Sequence, residues 1–220
     1  MDPQRLFGKH PPRSDMTTLL QLVEDWQWRF GPGGPGELHR DTVVEYAAAA
    51  ANIRLAVRRA CMSLRPNGKL HNHQSRVPAV VRNDFDHRIW HIEGDWLRKV
   101  EVSRGRWRES PEYTMFDQLY DRLDNIKPKG IGVVTLYDVA TRIAAYLGCE
   151  EQQLYFHAGV REGWRMLYPA DLDRTMWEMS KSKCIPRYML PDSLRLLPTS
   201  EVEDFLCAYR KLFGLLTERE

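Results

Sequence analysis

The chain has 220 residues, 43% of them hydrophobic and 28% charged, so it is long and apolar enough to bury a core of its own. It has 32 Lys and Arg residues and 30 Asp and Glu residues, so its net charge is only +2. Proteins that coat a polyanion are strongly basic, and this composition excludes that class. No apolar run approaches the roughly 18 residues that a membrane span needs, so we expect no membrane partner.

The positive charge is nevertheless concentrated in one segment. Between Arg54 and Arg82 there are seven Lys or Arg residues and no Asp or Glu. This segment predicts an anion-binding surface. Within it, the stretch GKLHNHQSR contains donors that suit both phosphates and base edges, namely Lys69, His71, His73, Gln74 and Arg76.

Helical periodicity extends along most of the chain, and the alternation typical of strands is almost absent. The stretch SDMTTLLQLVEDWQWRF predicts a first helix, capped by Ser14 or Asp15 and stopped by the run GPGGPG. Asp41 is the predicted cap of a long alanine-rich helix that ends before Pro66. A third helical stretch follows Pro78.

Two later helices carry recognisable start signals. SPEYTMFDQLYDRLDNI predicts a helix capped by Ser110, and the last helix has the pattern of a capping box formed by Ser200 and Glu203. The chain therefore predicts an all-α, multi-helix globular bundle. We expect an N-terminal arm and helix over 1–40 and a single all-α domain over 41–220.

The stretch IKPKGIGVVTLYDVATRIAAYLG, residues 126 to 148, lies between two amphipathic helical patterns. A glycine-hydrophobic-glycine turn there predicts a helix-hairpin-helix element over 111–148, whose backbone amides can bind phosphate at the start of the second helix. The alternative is a turn that only joins two packed helices. The predicted nucleic-acid contacts in this element are Lys127, Lys129, Gly130, Gly132 and Thr135.

After this element comes LYFHAGVREGWRML, where an apolar residue precedes His157 at the start of a further helical pattern. In order and spacing, residues 116–167 resemble the helix-hairpin-helix DNA glycosylase superfamily, in which an apolar-Asp-x-His stretch follows the hairpin. At the positions of the family's catalytic Asp and Lys, this chain has Tyr155 and Val134.

The resemblance implies binding of double-stranded DNA and excision of a damaged or modified base, which would be turned out of the stack. The candidate catalytic residues are His157, Tyr155 and Asp138, with Glu150 and Glu151 as other sources of the acid. This interpretation requires no cofactor and no metal ion.

Two other classes of function stay open. One is a non-catalytic module that binds nucleic acid or a protein partner. The other is a metal-dependent hydrolase that uses four histidines, His71, His73, His87 and His91.

Four well-separated cysteines bear on the cellular compartment. Cys61, Cys149, Cys184 and Cys207 form no CxxC pair, and we expect them to be reduced. The first residues contain no apolar stretch of the kind found in secretory signals. Both features predict a cytoplasmic protein.

Overall fold

The computed structural model describes residues 16–30, 42–63, 77–104 and 113–219. These residues are mostly helical, which confirms the predicted all-α class in its coarse form. Among the described helices, none has both the length and the apolar character needed to cross a membrane.

The described chain divides into two compact units. The terminal unit comprises residues 16–30 and 152–219, and the central unit comprises the described residues between 42 and 151. This division places the predicted hairpin and His157 in different units, whereas the sequence prediction assigned 41–220 to one domain.

The central unit is built from helices alone within its described part. Helix α6 packs against α2, α3 and α5, and it buries Leu136, Val139, Ile143 and Leu147 at helical spacing. Complete burial of such side chains contributes about 2 kcal/mol each. The helices of this unit are α2 (Thr42–Ala48), α3 (Ile53–Met62), α4 (Ala79–Val102), α5 (Met115–Ile126) and α6 (Val133–Leu147).

The alanine-rich run forms two helices, and the prediction of a single long helix was wrong. Asn52 is extended, with φ −160° and ψ 165°, and its side-chain oxygen accepts the amide of Leu55 at 2.9 Å. This local bond caps a new helix and competes with continuation of the first one. The predicted cap Asp41 and the predicted stop Pro66 lie outside the described residues.

Helix α5 begins at Met115, after a capping box in which Thr114 and Asp117 satisfy each other's backbone amides. The predicted cap Ser110 lies outside the described residues. The stretch SPEYT contains two possible cap residues, Ser110 and Thr114. Thr114, which is nearer the apolar run, caps the helix.

The terminal unit mixes helices with one small sheet. Its two strands are antiparallel, with Leu154 opposite Ile185 and Tyr155 opposite Cys184. Thr217 donates its amide to the carbonyl of Thr17 at 2.8 Å, which ties the start of the first helix to the end of the chain. The elements of this unit are α1 (Leu19–Phe30), β1 (Gln153–Tyr155), α7 (Ala158–Leu167), α8 (Arg174–Met179), β2 (Cys184–Pro186) and α9 (Thr199–Tyr209).

The core of the terminal unit depends on a close approach of α7 and α9. Trp164 and Phe205 are fully buried there together with Trp26 of α1. A Cβ on Gly163 would stand 2.2 Å from the carbonyl oxygen of Leu206, so only glycine fits at this position. The glycine therefore sets how closely α7 and α9 pack.

Helix α9 starts two residues earlier than its sequence signal implied. It begins at Thr199 after Pro198, and no side chain caps it. The predicted capping box of Ser200 and Glu203 was wrong because both residues lie inside the helix. Glu203 instead bonds to the imidazole of His157.

Candidate nucleic-acid interface

Helices α5 and α6 lie against each other and are joined by residues 127–132. The apolar face of α5 buries Phe116, Leu119 and Leu123, and α6 presents Leu136 and Val139 to the interior of the same unit. The turn between them is therefore fixed at both ends by packed helices. This is the region for which the sequence predicted contacts with nucleic acid.

The backbone of the turn has the conformation that its glycines permit. Gly130 has φ +101°, a region that residues with a side chain rarely adopt. Ile131 is only 5% exposed and donates its amide to the carbonyl of Pro128 at 3.2 Å. The buried isoleucine anchors the turn, while Gly130 and Gly132 on either side of it are exposed.

Gly132 is the N-cap of α6, with φ −80° and ψ 171°, and no side chain caps the helix there. The first helical hydrogen bond runs from the amide of Leu136 to the carbonyl of Gly132, so the amides of Val133 and Val134 have no acceptor within the helix. A Cβ on Gly132 would meet nothing within 4 Å. This helix start is sterically open, and its amides and dipole both favour an anion.

The three other predicted residues of the turn differ in their surroundings. Lys129 is exposed, and no carboxylate in the described part of the chain pairs with it. Lys127 is half-buried and forms an ion pair with Asp124, one turn back on α5. Thr135 is only 8% exposed. Of the three, Lys129 has the charge most accessible to a ligand.

Much of the predicted basic surface is occupied by internal contacts. Arg54 and Arg58 both pair with Asp86, whose side chain is only 3% exposed. Asp86 lies just beyond the acid-free segment, on the buried face of α4. In the sequence, Arg82, Asp86 and Ile89 are spaced so that they share one face of a helix. This spacing could have identified Asp86 as a buried partner of the arginines.

Two further arginines of this segment bond to backbone. Arg59 donates to the carbonyl of Tyr46 at 2.7 Å and lies over its ring. Arg82 is buried and donates to the carbonyl of Met62 at 2.8 Å, and burial lowers the pKa of its guanidinium. The remaining predicted contacts, Lys69, His71, His73, Gln74 and Arg76, lie outside the described residues.

The candidate catalytic residues belong to both units. Tyr155 and His157 are buried in the terminal unit, where the Nε2 of His157 bonds to a carboxylate oxygen of Glu203. Asp138 is half-buried on α6 of the central unit and lies 3.6 Å from Arg142. Sequence analysis missed Glu203 as the partner of His157 because its position matched a capping box.

The two alternative acids differ in their surroundings. Glu151 is buried and accepts the hydroxyl of Tyr137 at 2.9 Å, whereas Glu150 is exposed.

Of the histidines proposed as metal ligands, two are described. His87 and His91 are exposed on α4, and their ring centroids are 4.0 Å apart. His71 and His73 lie outside the described residues. Within the described ranges, no group of three or more His, Cys, Asp or Glu side chains is arranged to hold a metal ion.

The geometry of the central unit thus supports binding of an anion at the start of α6. The titratable pair of the terminal unit, His157 and Glu203, is suited to holding or moving a proton. No protein-family model, curated protein or solved structure matches this chain.

Proposed function

We propose that this chain binds double-stranded DNA through the turn between α5 and α6, which acts as a helix-hairpin-helix element. The observation that carries the proposal is the open N-terminus of α6 at Gly132, with the exposed Lys129 three residues before it. The amides of the first turn and one lysine together suit a phosphate.

The form of the turn favours a backbone contact over the reading of bases. Gly132 has no side chain, so a phosphate can approach the amides of Val133 and Val134 closely. Amides and a lysine contact phosphates without distinguishing bases. Binding through this turn alone is therefore expected to vary little with DNA sequence and to weaken steeply with salt.

The turn is also held in place before any ligand arrives. Ile131 is buried and donates its amide to the carbonyl of Pro128, and Gly130 lies against the side chain of Val81 in α4. A preformed site loses little conformational entropy on binding. This rigidity supports a role in positioning DNA.

A direct test measures duplex affinity over a series of salt concentrations for the wild type and Lys129→Gln. We expect the variant to bind all sequences several-fold more weakly, with a salt slope lower by about one. Lys211→Gln, which removes an exposed positive charge from the terminal unit, is the control. Equal affinities of the wild type and Lys129→Gln at low salt would contradict the proposal.

Excision of a base is the second candidate function, and the pair of His157 and Glu203 is the observation that favours it. A carboxylate that orients an imidazole is a common arrangement for general acid and base catalysis. The proposal includes no nucleophile, since Tyr155 and Val134 occupy the positions of the family's catalytic residues.

Single-turnover assays on duplexes with deaminated, alkylated or oxidised bases test this candidate. We expect an abasic product with at least one of them, and its rate should fall at least a hundredfold in Glu203→Gln. If the wild type binds these duplexes but releases no base, the chain is better described as a binding module.

A further inference from the structure

A second concentration of positive charge lies in the terminal unit, around Trp177 of α8. Three cationic groups lie over this one indole: the guanidinium carbons of Arg165 and Arg174 and the ammonium nitrogen of Lys181 are 5.1, 4.8 and 4.8 Å from the ring centroid. Since all three lie near a single centroid, the charges are within roughly twice that distance of one another. We call these three residues with Arg161 the Trp177 cluster.

The cluster is held by a rigid scaffold. Trp164 of α7 donates its indole N–H to the carbonyl of Met176 in α8 at 2.6 Å. Arg161 and Arg165, one turn apart on α7, donate to the backbone carbonyl and the hydroxyl of the buried Ser180 at 2.7 and 2.8 Å. These bonds fix two of the guanidinium groups before any ligand binds.

The charge of the cluster is not cancelled locally. Ser180 is a neutral acceptor, and among the described residues no carboxylate pairs with Arg161 or Arg165. Arg174 and Lys181 share the single carboxylate of Glu178. The pKa of Glu178 is lowered, first by the hydrogen bond from Lys181, so its one carboxylate stays ionised between two cations.

This arrangement contrasts with the segment that the sequence singled out. Arg54 and Arg58 of the central unit share the buried carboxylate of Asp86, and their side chains are 40% and 48% exposed. In the Trp177 cluster the side chains of Arg174 and Lys181 are 66% and 53% exposed. Arg174 and Lys181 are therefore more exposed than the two arginines that pair with Asp86.

We infer that the Trp177 cluster binds the phosphate backbone of nucleic acid. Duplex DNA has closely spaced charges, about one per 3.4 Å of axis on each strand, so a cluster of this width faces more than one phosphate. Replacement of condensed counterions by fixed cations drives such binding. Arginines held by neutral acceptors are suited to phosphate because their remaining N–H groups can donate to its oxygens.

The inference rests on the proposed binding of DNA and extends it to a second surface. Its test measures the affinity of the full chain for duplex DNA in a salt series, using the double variant Arg174→Gln, Lys181→Gln. We expect affinity to fall about tenfold at low salt and the salt slope to fall by about two. An affinity and slope equal to those of the wild type would overturn the inference.

The matched control is the double variant Arg88→Gln, Arg98→Gln. Its side chains, on α4, are 46% and 52% exposed, and each pairs with a carboxylate of its own helix. Arg98 also lies 5.0 Å from the centroid of an indole ring, that of Trp90. The control variant thus also removes two exposed positive charges, and we expect it to bind DNA like the wild type. An equal loss in the control would overturn the inference, because the loss would then follow from net charge alone.

Two comparisons distinguish binding by the Trp177 cluster from binding by the hairpin and from a general affinity for polyanions. If Lys129→Gln binds DNA like the wild type while the Arg174, Lys181 variant binds it weakly, the hairpin proposal fails and the inference about the Trp177 cluster holds. If only Lys129→Gln binds weakly, the inference about the cluster fails and the hairpin proposal holds. Poly-glutamate provides a different polyanion. If it binds the wild type as tightly as DNA does, and the double variant loses it equally, the cluster binds acidic polypeptides and the inference is wrong.

Discussion

Gly130 lies against Val81 in the first turn of α4, and its backbone φ is +101°. An added Cβ would be 3.5 Å from the nearest methyl group of Val81, which is an ordinary contact. The space around Gly130 therefore tolerates alanine, but its backbone conformation does not.

Gly130→Ala should destabilise the chain by about 1 kcal/mol, because alanine is strained at this φ. Urea unfolding would measure the loss. Gly214→Ala is the control, since Gly214 has no positive φ and no atom lies within 4 Å of an added Cβ. If Gly130→Ala is as stable as this control, the turn does not have the conformation described.

Tyr146 should make the stability of the chain depend on alkaline pH. It donates a hydrogen bond to Glu101, and burial with this bond raises the pKa of its phenol from 10.0 to about 12. Below about pH 10 the phenol is protonated in both folded and unfolded chains, so its contribution is complete. As the pH rises further the unfolded chain ionises first, and stability on the order of 1 kcal/mol should be lost by about pH 12.

Urea unfolding of the wild type and Tyr146→Phe at about pH 9 and about pH 11.5 measures this contribution. The variant should be less stable at the lower pH, because it lacks the bond to Glu101, and the difference should shrink at the higher pH. A difference that is constant or that grows with pH would show that the phenol does not titrate as described.

Gly163→Ala should disrupt the terminal unit. Its methyl group would stand 2.2 Å from the carbonyl oxygen of Leu206, so α7 and α9 would have to separate. Overpacking of this kind costs about 3 kcal/mol or more where backbone must move. Gly214→Ala, with no atom within 4 Å of the added Cβ, is the control. Thermal unfolding with a Tm unchanged by Gly163→Ala would contradict the packing.

Local pattern was sufficient to predict elements whose apolar spacing is strong. The sequence predicted a second helix after the glycine turn, and Val139, Ile143 and Leu147 are buried on one face of that helix, α6. Short polar signals were less reliable because one residue can serve several bonds. Composition alone predicts one helix through Asn52, but its side chain caps a new helix there. Glu203 matches a capping box in the sequence, but it bonds to His157, which is distant in sequence.

The distribution of accessible charge could not be predicted from the sequence because it depends on tertiary pairing. The acid-free run containing Arg54 and Arg58 suggested an open basic surface, but Asp86 on the next helix pairs with both. Around Trp177, cations from separate elements lie over one indole ring, and two of them share the single carboxylate of Glu178. No run of basic residues in the sequence marks that cluster.

The central claim is that DNA phosphate binds the amides at the start of α6. The most direct measurement compares the duplex affinities of the wild type, Gly132→Asp and Gly132→Asn. Either side chain fits the open N-cap position and should leave stability unchanged or raise it by a few tenths of a kcal/mol. Only the aspartate places a negative charge where the phosphate would lie. We predict at least a tenfold loss of affinity for Gly132→Asp and a smaller loss for Gly132→Asn; wild-type affinity in the folded aspartate variant would contradict the claim.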